Sequence, residues 1–436
     1  MLQNNCFCTN KNGERRCPVR VETLLNKVYS FKSFVYSKVY FEKESNKDVL
    51  VIEIVPRKNG QVHCSCCGCQ CPIYDRMPEK RNFDFIPLWN MRVVFRYRMR
   101  RVACPRCGVK VERIPWADGK TRIAKPFQLF LAVWAERLSW KETARIFHTS
   151  WDSVFRSVKN IVSYGLKHRN INNIRAIGVD EVQVHAGHNY VTLVYQVDAG
   201  IRRLLYVGKD RTVKTLLGFF REIGEEKSKR IEFVCSDMWK PYLKVIKKKA
   251  PQALHILDRF HIVQHMGKAI DKVRNAEAKR LEDEGYENVL KKSKYCFLKN
   301  KKNLTDKQNT RLKDILKYDL KTVRAYLLKE SFQLFWAYKS PYWAERYLEK
   351  WCASAMRSNL DPIKKFVKTI RRHQPLIMNY FKAKKAYSSG VVEGLNRKVN
   401  LVTRKSYGFR SDEILKIALL HHLGKLPRPE FTHKFC

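Results

Sequence analysis

No apolar run in this 436-residue chain approaches the roughly 18 residues that a membrane-spanning helix needs. The N-terminal stretch MLQNNCFCTNKNGERRC lacks the apolar centre of a signal peptide, so the expected location is the cytoplasm, in association with the nucleoid. Acidic residues are scarce, with 41 Asp+Glu against 87 Lys+Arg, a formal charge of +46. No single Lys/Arg block accounts for the excess, which runs through the whole chain. So extended a positive field fits phosphate backbones, with binding that weakens steeply as salt rises. An anionic membrane surface is the competing partner, disfavoured by the same lack of apolar runs. Hydrophobic residues at 44% exclude a disordered chain, and the length implies two to four domains. Seven of the fourteen cysteines fall between Cys64 and Cys107. A disulfide scaffold with that many thiols would be far shorter, so the clustering favours metal in a reducing compartment.

Residues 1–30 are polar at the outset and expected to be loose. Residues 31–115 read as a zinc-binding β module. Two strand-like runs, FKSFVYSKVYF and VLVIEIV, are joined by the turn-rich ESNKD. Cys64 and Cys67 precede Gly68, and Cys104 and Cys107 precede Gly108, two matched C-x-x-C-G knuckles. Together they supply four thiolates for a tetrahedral structural Zn²⁺ site, each glycine allowing a tight turn. Cys66 and Cys69 form a further C-x-x-C, and Cys71 adds another thiol, so the register stays open. After the linker IPWADGKTRIAKP, residues 126–170 read as a helix-turn-helix domain. A first helix (127–137) is followed by helix 140–147, a turn at 148–150 and helix 151–162. Arg156 and Lys159 lie on the exposed face of the last helix, toward DNA; a plain helical hairpin has the same pattern.

The stretch IRAIGVDEVQVH, 174–185, reads as a buried strand carrying Asp180. A carboxylate in such a run needs a partner, and a divalent metal suits a hard oxygen ligand. A strand-end Asp capping a turn is the plainer alternative. Side chains alternate along a strand, so Glu181 is expected to face away from any site built on Asp180. Strands at 190–198 and 203–207, a helix at 212–223, a strand ending at Asp237, a helix at 241–249 and a strand at 253–257 complete residues 174–272. The order βββ-α-β-α-β is ribonuclease-H-like, and parallel pairing would bring Asp180 beside Asp237. Residues 273–385 form a basic helical insertion, with Phe332, Phe335, Trp336, Tyr342, Trp343 and Trp351 as its aromatic core. One or two of these rings are also readable as a base-stacking surface. Residues 386–436 return to the core with a helix bearing Glu393, readable either as a surface residue near a helix start or as a third carboxylate. Three converging carboxylates would hold two divalent metals, Mg²⁺ or Mn²⁺, for phosphodiester chemistry. Arg397, Lys398, Arg404 and Lys405 are the cations expected to hold DNA there.

The segments GVDEVQVHAGHNYVTLVYQVD, CSDMWKPY, LDRFHIV and VVEGLNRKVNLVTRKSYGFR make the chain resemble bacterial insertion-sequence transposases of the ISL-three family. The resemblance covers nearly the whole chain and implies a multidomain α+β protein. Its parts are a zinc module, a helix-turn-helix and a ribonuclease-H-like DDE core interrupted by helices. It implies Asp180, Asp237 and Glu393 as the catalytic triad, with Asp258 and His261 in a supporting role. It further implies recognition of terminal inverted repeats, cleavage at the ends, strand transfer into target DNA, and a dimer or higher assembly on DNA. The cysteine-bearing N-terminus and the thiols Cys66, Cys69 and Cys71 depart from the pattern. A non-catalytic DNA-binding regulator on the same scaffold, or a nuclease without strand transfer, are the rival readings.

Overall fold

The computed structural model describes residues 20–184, 189–385 and 390–430, together with the backbone pairing of Cys8–Thr9 with Arg15–Arg16. The turn expected at 186–189 lies largely outside the described residues, as do most of the first twenty. The protein is a mixed α/β chain of two compact units, one made of Met1–Arg169 with Leu426–Cys436, the other of Asn170–Lys425. No helix among the described residues is long and apolar enough to cross a membrane.

In the first unit, helix α1 (Val21–Val28) lies within the segment expected to be loose, and Leu25 anchors it in the core. Strands β1 (Phe34–Glu44) and β2 (Lys47–Pro56) form the expected hairpin. Ser45 and Asn46 both take positive φ, at 49° and 61°, as a two-residue turn between twisted strands demands. Strand β3 (Ile73–Arg76), β4 (Arg81–Leu88), β5 (Met91–Tyr97), β6 (Arg100–Cys104) and β7 (Gly108–Val111) follow. They make two sheets, ordered β1-β2-β5-β4 and β3-β6-β7. Trp116 is fully buried among the rings of Phe31, Phe34, Phe83 and Tyr97, which accounts for the apolar IPWA segment. Helices α2 (Lys125–Arg137), α3 (Trp140–Ile146) and α4 (Trp151–His168) close the unit. Ser139 and Ser150 cap α3 and α4 by accepting the amides of Glu142 and Ser153. Helix α4 runs six residues beyond the expected end at Val162. Gly165 does not stop it, because that glycine makes room for Leu426, whose Cβ would lie 2.5 Å from a Cβ at 165.

The second unit is built on a five-stranded sheet. Strands β8 (Ala176–Gln183), β9 (Tyr190–Asp198) and β10 (Ile201–Lys209) form an antiparallel meander. Helix α5 (Val213–Ile223), strand β11 (Phe233–Ser236), helix α6 (Lys240–Lys249) and strand β12 (Leu254–Leu257) follow. The order is β10-β9-β8-β11-β12, with β8, β11 and β12 parallel. Ile177, Val179 and Val234 face α5 and α6 through Leu216, Phe219, Phe220, Val245 and Ile246. Cys235 and Ile256 point to the other face, and with Leu257 they belong to the core of the helical segment.

That segment starts with α7 (Arg259–Asp283), a continuous helix that runs through the boundary expected at 272–273. Helices α8 (Asp306–Ile315), α9 (Lys321–Leu334), α10 (Pro341–Met356) and α11 (Asp361–Lys382) complete it. Phe332, Phe335, Trp336 and Trp351 are buried, packed with Phe366 and Phe381, but Tyr342 and Trp343 are exposed rather than core. These helices share one apolar cluster with β11 and β12. Asn379 on α11 donates to the carbonyl of His255 at 2.7 Å. Helices α12 (Gly390–Lys405) and α13 (Asp412–Leu423) end the unit.

Helix α12 sits so close to β8 that a Cβ at Gly178 would lie 2.4 Å from Val392 Cγ2. Gly178→Ala is therefore expected to lower the stability of the chain by about 1–3 kcal/mol, as overpacking of a full interior does. Chemical denaturation measures it, and an unchanged midpoint would mean that the seat is not tight. A second expectation concerns pH. Burial holds the His255 imidazole, 2.7 Å from Ser236 Oγ, down at about 4 from an ordinary 6.5. The native chain keeps it neutral, so its contribution is whole above pH 6.5 and drains away as pH falls toward 4. The loss of melting temperature over that interval should shrink in His255→Gln.

Candidate functional site

Two groups of side chains stand out, one in each unit. In the first unit, Cys64, Cys67, Cys104 and Cys107 bring their sulfurs within 4.8 Å of one another. Cys67 Sγ and Cys104 Sγ are 3.5 Å apart. The edge of a tetrahedral zinc–thiolate site with bonds of 2.3 Å is about 3.8 Å, so the donor set fits a tetrahedral metal ion. The thiols grouped are those ahead of Gly68 and Gly108, which take φ of 72° and 70°. Cys66 and Cys69 are not in the group, and Cys71 Sγ lies instead 3.3 Å from the carbonyl of Cys69. A buried carboxylate ties the second knuckle to the neighbouring strands. Glu112 accepts from Tyr97 Oη at 2.6 Å, from the Arg100 amide at 2.8 Å and from the Arg100 guanidinium at 2.6 and 2.9 Å.

In the same unit, Arg156 and Lys159 are exposed on α4, as expected. Arg156 pairs with Asp152 at 2.7 Å and Lys159 lies over the ring of Phe155. The turn between α3 and α4 carries His148 at φ 48°.

In the second unit, the parallel register aligns Gly178 with Cys235, and Ser236 with Leu257. Carried on at the same offset, it sets Asp180, within β8, in one row with Asp237 and Asp258, the residues just past the carboxyl ends of β11 and β12. That end of a parallel sheet is where ligands of α/β folds bind. Asp180 accepts from the Glu181 amide at 2.9 Å and from the Asn396 side chain at 2.6 Å. Burial pushes its carboxyl up, against the pull of that amide and of His261. Asp258 caps α7 through the Phe260 amide at 2.6 Å and holds His261 Nδ1 at 2.7 Å. The hydrogen bond to Asp258 raises the imidazole above its ordinary value, with Asp180 and Asp237 adding to the effect. Asp237 accepts from the Trp239 amide at 2.9 Å and pairs with Arg211.

Glu181 points to the opposite sheet face, as alternation requires, yet it is not detached from the row. Arg211 pairs with it at 3.2 Å, off hydrogen-bond alignment, while also holding Asp237 and lying over the Trp239 ring. Burial and then the charge of Asp237 push the Glu181 carboxyl up to about 7. Glu181 thus faces away from Asp180, as expected, and is linked to the row through Arg211, because Asp237 lies one residue past its strand.

Glu393 lies on α12 one turn before Asn396, and its carboxylate pairs with Arg397 at 2.7 Å. The structure thus brings Asp180, Asp237, Asp258 and His261 into one electrostatic field, with Glu393 on the helix that holds Asp180. Among the described residues the thiols are the group of three or more potential ligands that meets within 4.8 Å; the three acids of the expected triad do not close to that distance. Asn396, Tyr195 and Arg211 join the site without any local signal in the sequence to mark them. Tyr195 Oη donates to Asn396 Oδ1 at 2.7 Å, which turns the amide nitrogen toward Asp180. Arg397, Lys398 and Arg404 are exposed on α12, with Lys405 half-buried at its end.

Asn396→Ala is expected to leave Asp180 short of a donor and to cost about 1.5–3 kcal/mol of stability where the carboxylate is charged. Asn396→Asp, which sets a second negative charge against Asp180, should cost more, and denaturation at neutral pH ranks the two. For the thiols, Cys104→Ser should lose the bound metal that the unaltered chain retains after dialysis. Equal metal content in both would remove Cys104 from the ligand set.

The sequence profile of the ISL-three DDE family, described as Transposase, matches residues 177–419. That span runs from β8 into α13 and contains the whole aspartate row. The chain is 27% identical over 353 residues to the transposase for insertion sequence element IS1001 of Bordetella parapertussis, covering 80% of this chain and 86% of that one. It is 28% identical over 432 residues to the transposase for insertion sequence element IS1557 of Mycobacterium tuberculosis, covering 91% and 94%. With the family's profile spanning more than half of its length, the chain belongs to the ISL-three family of DDE transposases.

Proposed function

We propose that the second unit is a ribonuclease-H-like core that cuts DNA at the ends of its element and joins the freed strand to a target. The observation that carries this reading is the parallel pairing of β8, β11 and β12, whose register leads on to Asp180, Asp237 and Asp258, with α12 tied to Asp180 through Asn396. Asp180, Asp237 and Glu393 would hold Mg²⁺ or Mn²⁺. These are hard oxygen donors, and a buried Asp180 whose proton affinity is raised is a site where added positive charge relieves desolvation. Bound metal would polarise the phosphodiester and stabilise the leaving oxygen. The chain's own residues do the rest. Asn396, oriented by Tyr195, fixes one oxygen of Asp180. Asp258 orients His261, whose hold on its proton the carboxylates of the row strengthen. Glu393 must leave Arg397 to join, and the DNA phosphates are the natural new partner for that guanidinium.

In the first unit, Cys64, Cys67, Cys104 and Cys107 hold structural Zn²⁺, and α3–α4 act as a helix-turn-helix reading the terminal inverted repeats. The capped turn before α4 and the outward Arg156 and Lys159 support this. Two ends must be handled together, so a dimer or higher assembly on DNA is proposed, in the cytoplasm. The net charge of +46 supports so extended a DNA contact.

The test is a joining assay with end-bearing DNA and a target plasmid. Asp180→Asn should abolish both cleavage and joining while leaving end binding intact. Cleavage without joining by the unaltered chain would mark a nuclease, and binding with neither step a regulator. Arg156→Ala with Lys159→Ala should weaken end binding and reduce the slope of log affinity against log salt by about 2, at roughly 0.9 per phosphate contact.

A further inference from the structure

Helix α12 ends in a strained way. The Gly408 amide donates to the Thr403 carbonyl at 3.3 Å and the Tyr407 amide to the Arg404 carbonyl at 3.1 Å. These are the paired bonds of a Schellman cap, which puts the first residue past the helix in the left-handed region. Glycine is favoured there because a Cβ crowds the backbone. This chain has Tyr407 at that position, at φ 52°, with a glycine only one residue later. The ring gains no packing in return. Tyr407 is 98% exposed, the most exposed large hydrophobic side chain among the described residues. A strained backbone that holds an aromatic ring out in solvent points to a use for the ring outside the fold.

Its surroundings indicate the use. Val392, Leu395, Val399 and Val402 bury one face of α12. The opposite face exposes Arg397, Lys398, Leu401 and Arg404, and Arg410 is exposed just beyond the cap. Leu401 is 66% exposed, so this face is apolar as well as cationic. Cations for a phosphate backbone, interleaved with apolar surface and ending in a free-standing ring, are what a single nucleic-acid strand binds. A protein partner would call for a larger apolar patch and fewer like charges. Asn396, half-buried and holding Asp180, immediately precedes Arg397, the first cation of this face.

We propose that the exposed face of α12 is the track for a single DNA strand leaving the aspartate row, and that Tyr407 stacks on one of its bases. This rests on the DNA-cleaving reading of the second unit and adds a register to it. Tyr407 is eleven residues past Asn396 (407 − 396), about 16 Å along the helix axis at 1.5 Å per residue. At about 3.4 Å per nucleotide, or more in a stretched strand, the stacked base is about three to five nucleotides from the phosphate at the row.

The experiment uses the full-length chain and a duplex with a single-stranded 3′ extension, 2-aminopurine being placed in turn at each extension position. Binding is measured with Asp180→Asn, so that the readout does not depend on cleavage. Quenching is expected at about three to five nucleotides from the duplex end and nowhere else, from stacking of the base on the ring. Tyr407→Gly should abolish that quenching and weaken binding about tenfold, while raising the melting temperature, because glycine relieves the strain. Tyr407→Phe and Tyr407→Trp should retain both. Unchanged quenching in Tyr407→Gly overturns the proposal, and so does a fall in its melting temperature, which would make the ring structural. If quenching is lost as expected but the unaltered chain fails to cut end-bearing DNA, the strand track stands and the cleavage reading falls. If the chain cuts and Tyr407→Gly changes nothing, the reverse holds.

Discussion

Like charges set side by side at the ends of parallel strands repel, and burial makes the repulsion worse. That is the constraint around which the second unit is arranged. Asp180 takes two donors, the amide of Glu181 and the side chain of Asn396. Asp258 takes an amide and an imidazole, and Asp237 an amide and a guanidinium. Each carboxylate is thus held in place by groups that a cation could supplement without unfolding anything. Arg211 goes further, since it neutralises Asp237 and Glu181 together while lying flat on Trp239. The same fixed arrangement that offsets the repulsion also sets the geometry in which chemistry would occur.

The donors come from far apart in the sequence. Asn396 lies 216 residues beyond Asp180, and the long helical segment intervenes. That segment is no loosely tethered appendage. Its rings and aliphatics form one cluster with β11 and β12, and α7 begins at the Asp258 cap and continues unbroken into it. The helices therefore act as the second wall of the sheet. Contacts of such long separation are slow to form, because loop closure precedes the gain from packing.

Much of this was legible in the residues. Period-two strands and matched C-x-x-C-G knuckles carry local information, and strands β8 to β12, helices α2 to α6 and the four grouped thiols lie close to where the pattern puts them. The glycines after the knuckles chose between competing cysteine registers for a steric reason, and the φ values at Gly68 and Gly108 agree. What the pattern could not carry is long-range. Asp258 enters the row because β12 pairs with β11 in one register, which no local signal encodes. Arg211 and Tyr195 look like ordinary surface and core residues until the sheet brings them to Glu181 and Asn396. Tyr342 and Trp343 look like core by composition, yet the start of α10 turns them outward. Helix α4 runs past its expected end for a reason just as remote in sequence, since Gly165 is the contact point for Leu426.

That contact has an implication for how the chain comes to be complete. The seat at Gly165 is filled by Leu426 and the carbonyl of Pro427, residues that follow the whole of the second unit in the sequence. Arg428 adds an ion pair with Glu136 on α2 at 2.6 Å. The first unit is therefore a discontinuous body, with a piece that is synthesised only after the whole of the second unit. A copy truncated shortly before Leu426 keeps every residue of the aspartate row, yet leaves α4 with an open notch along its flank. Loss of the segment after Lys425 is thereby felt in a helix that ends at His168.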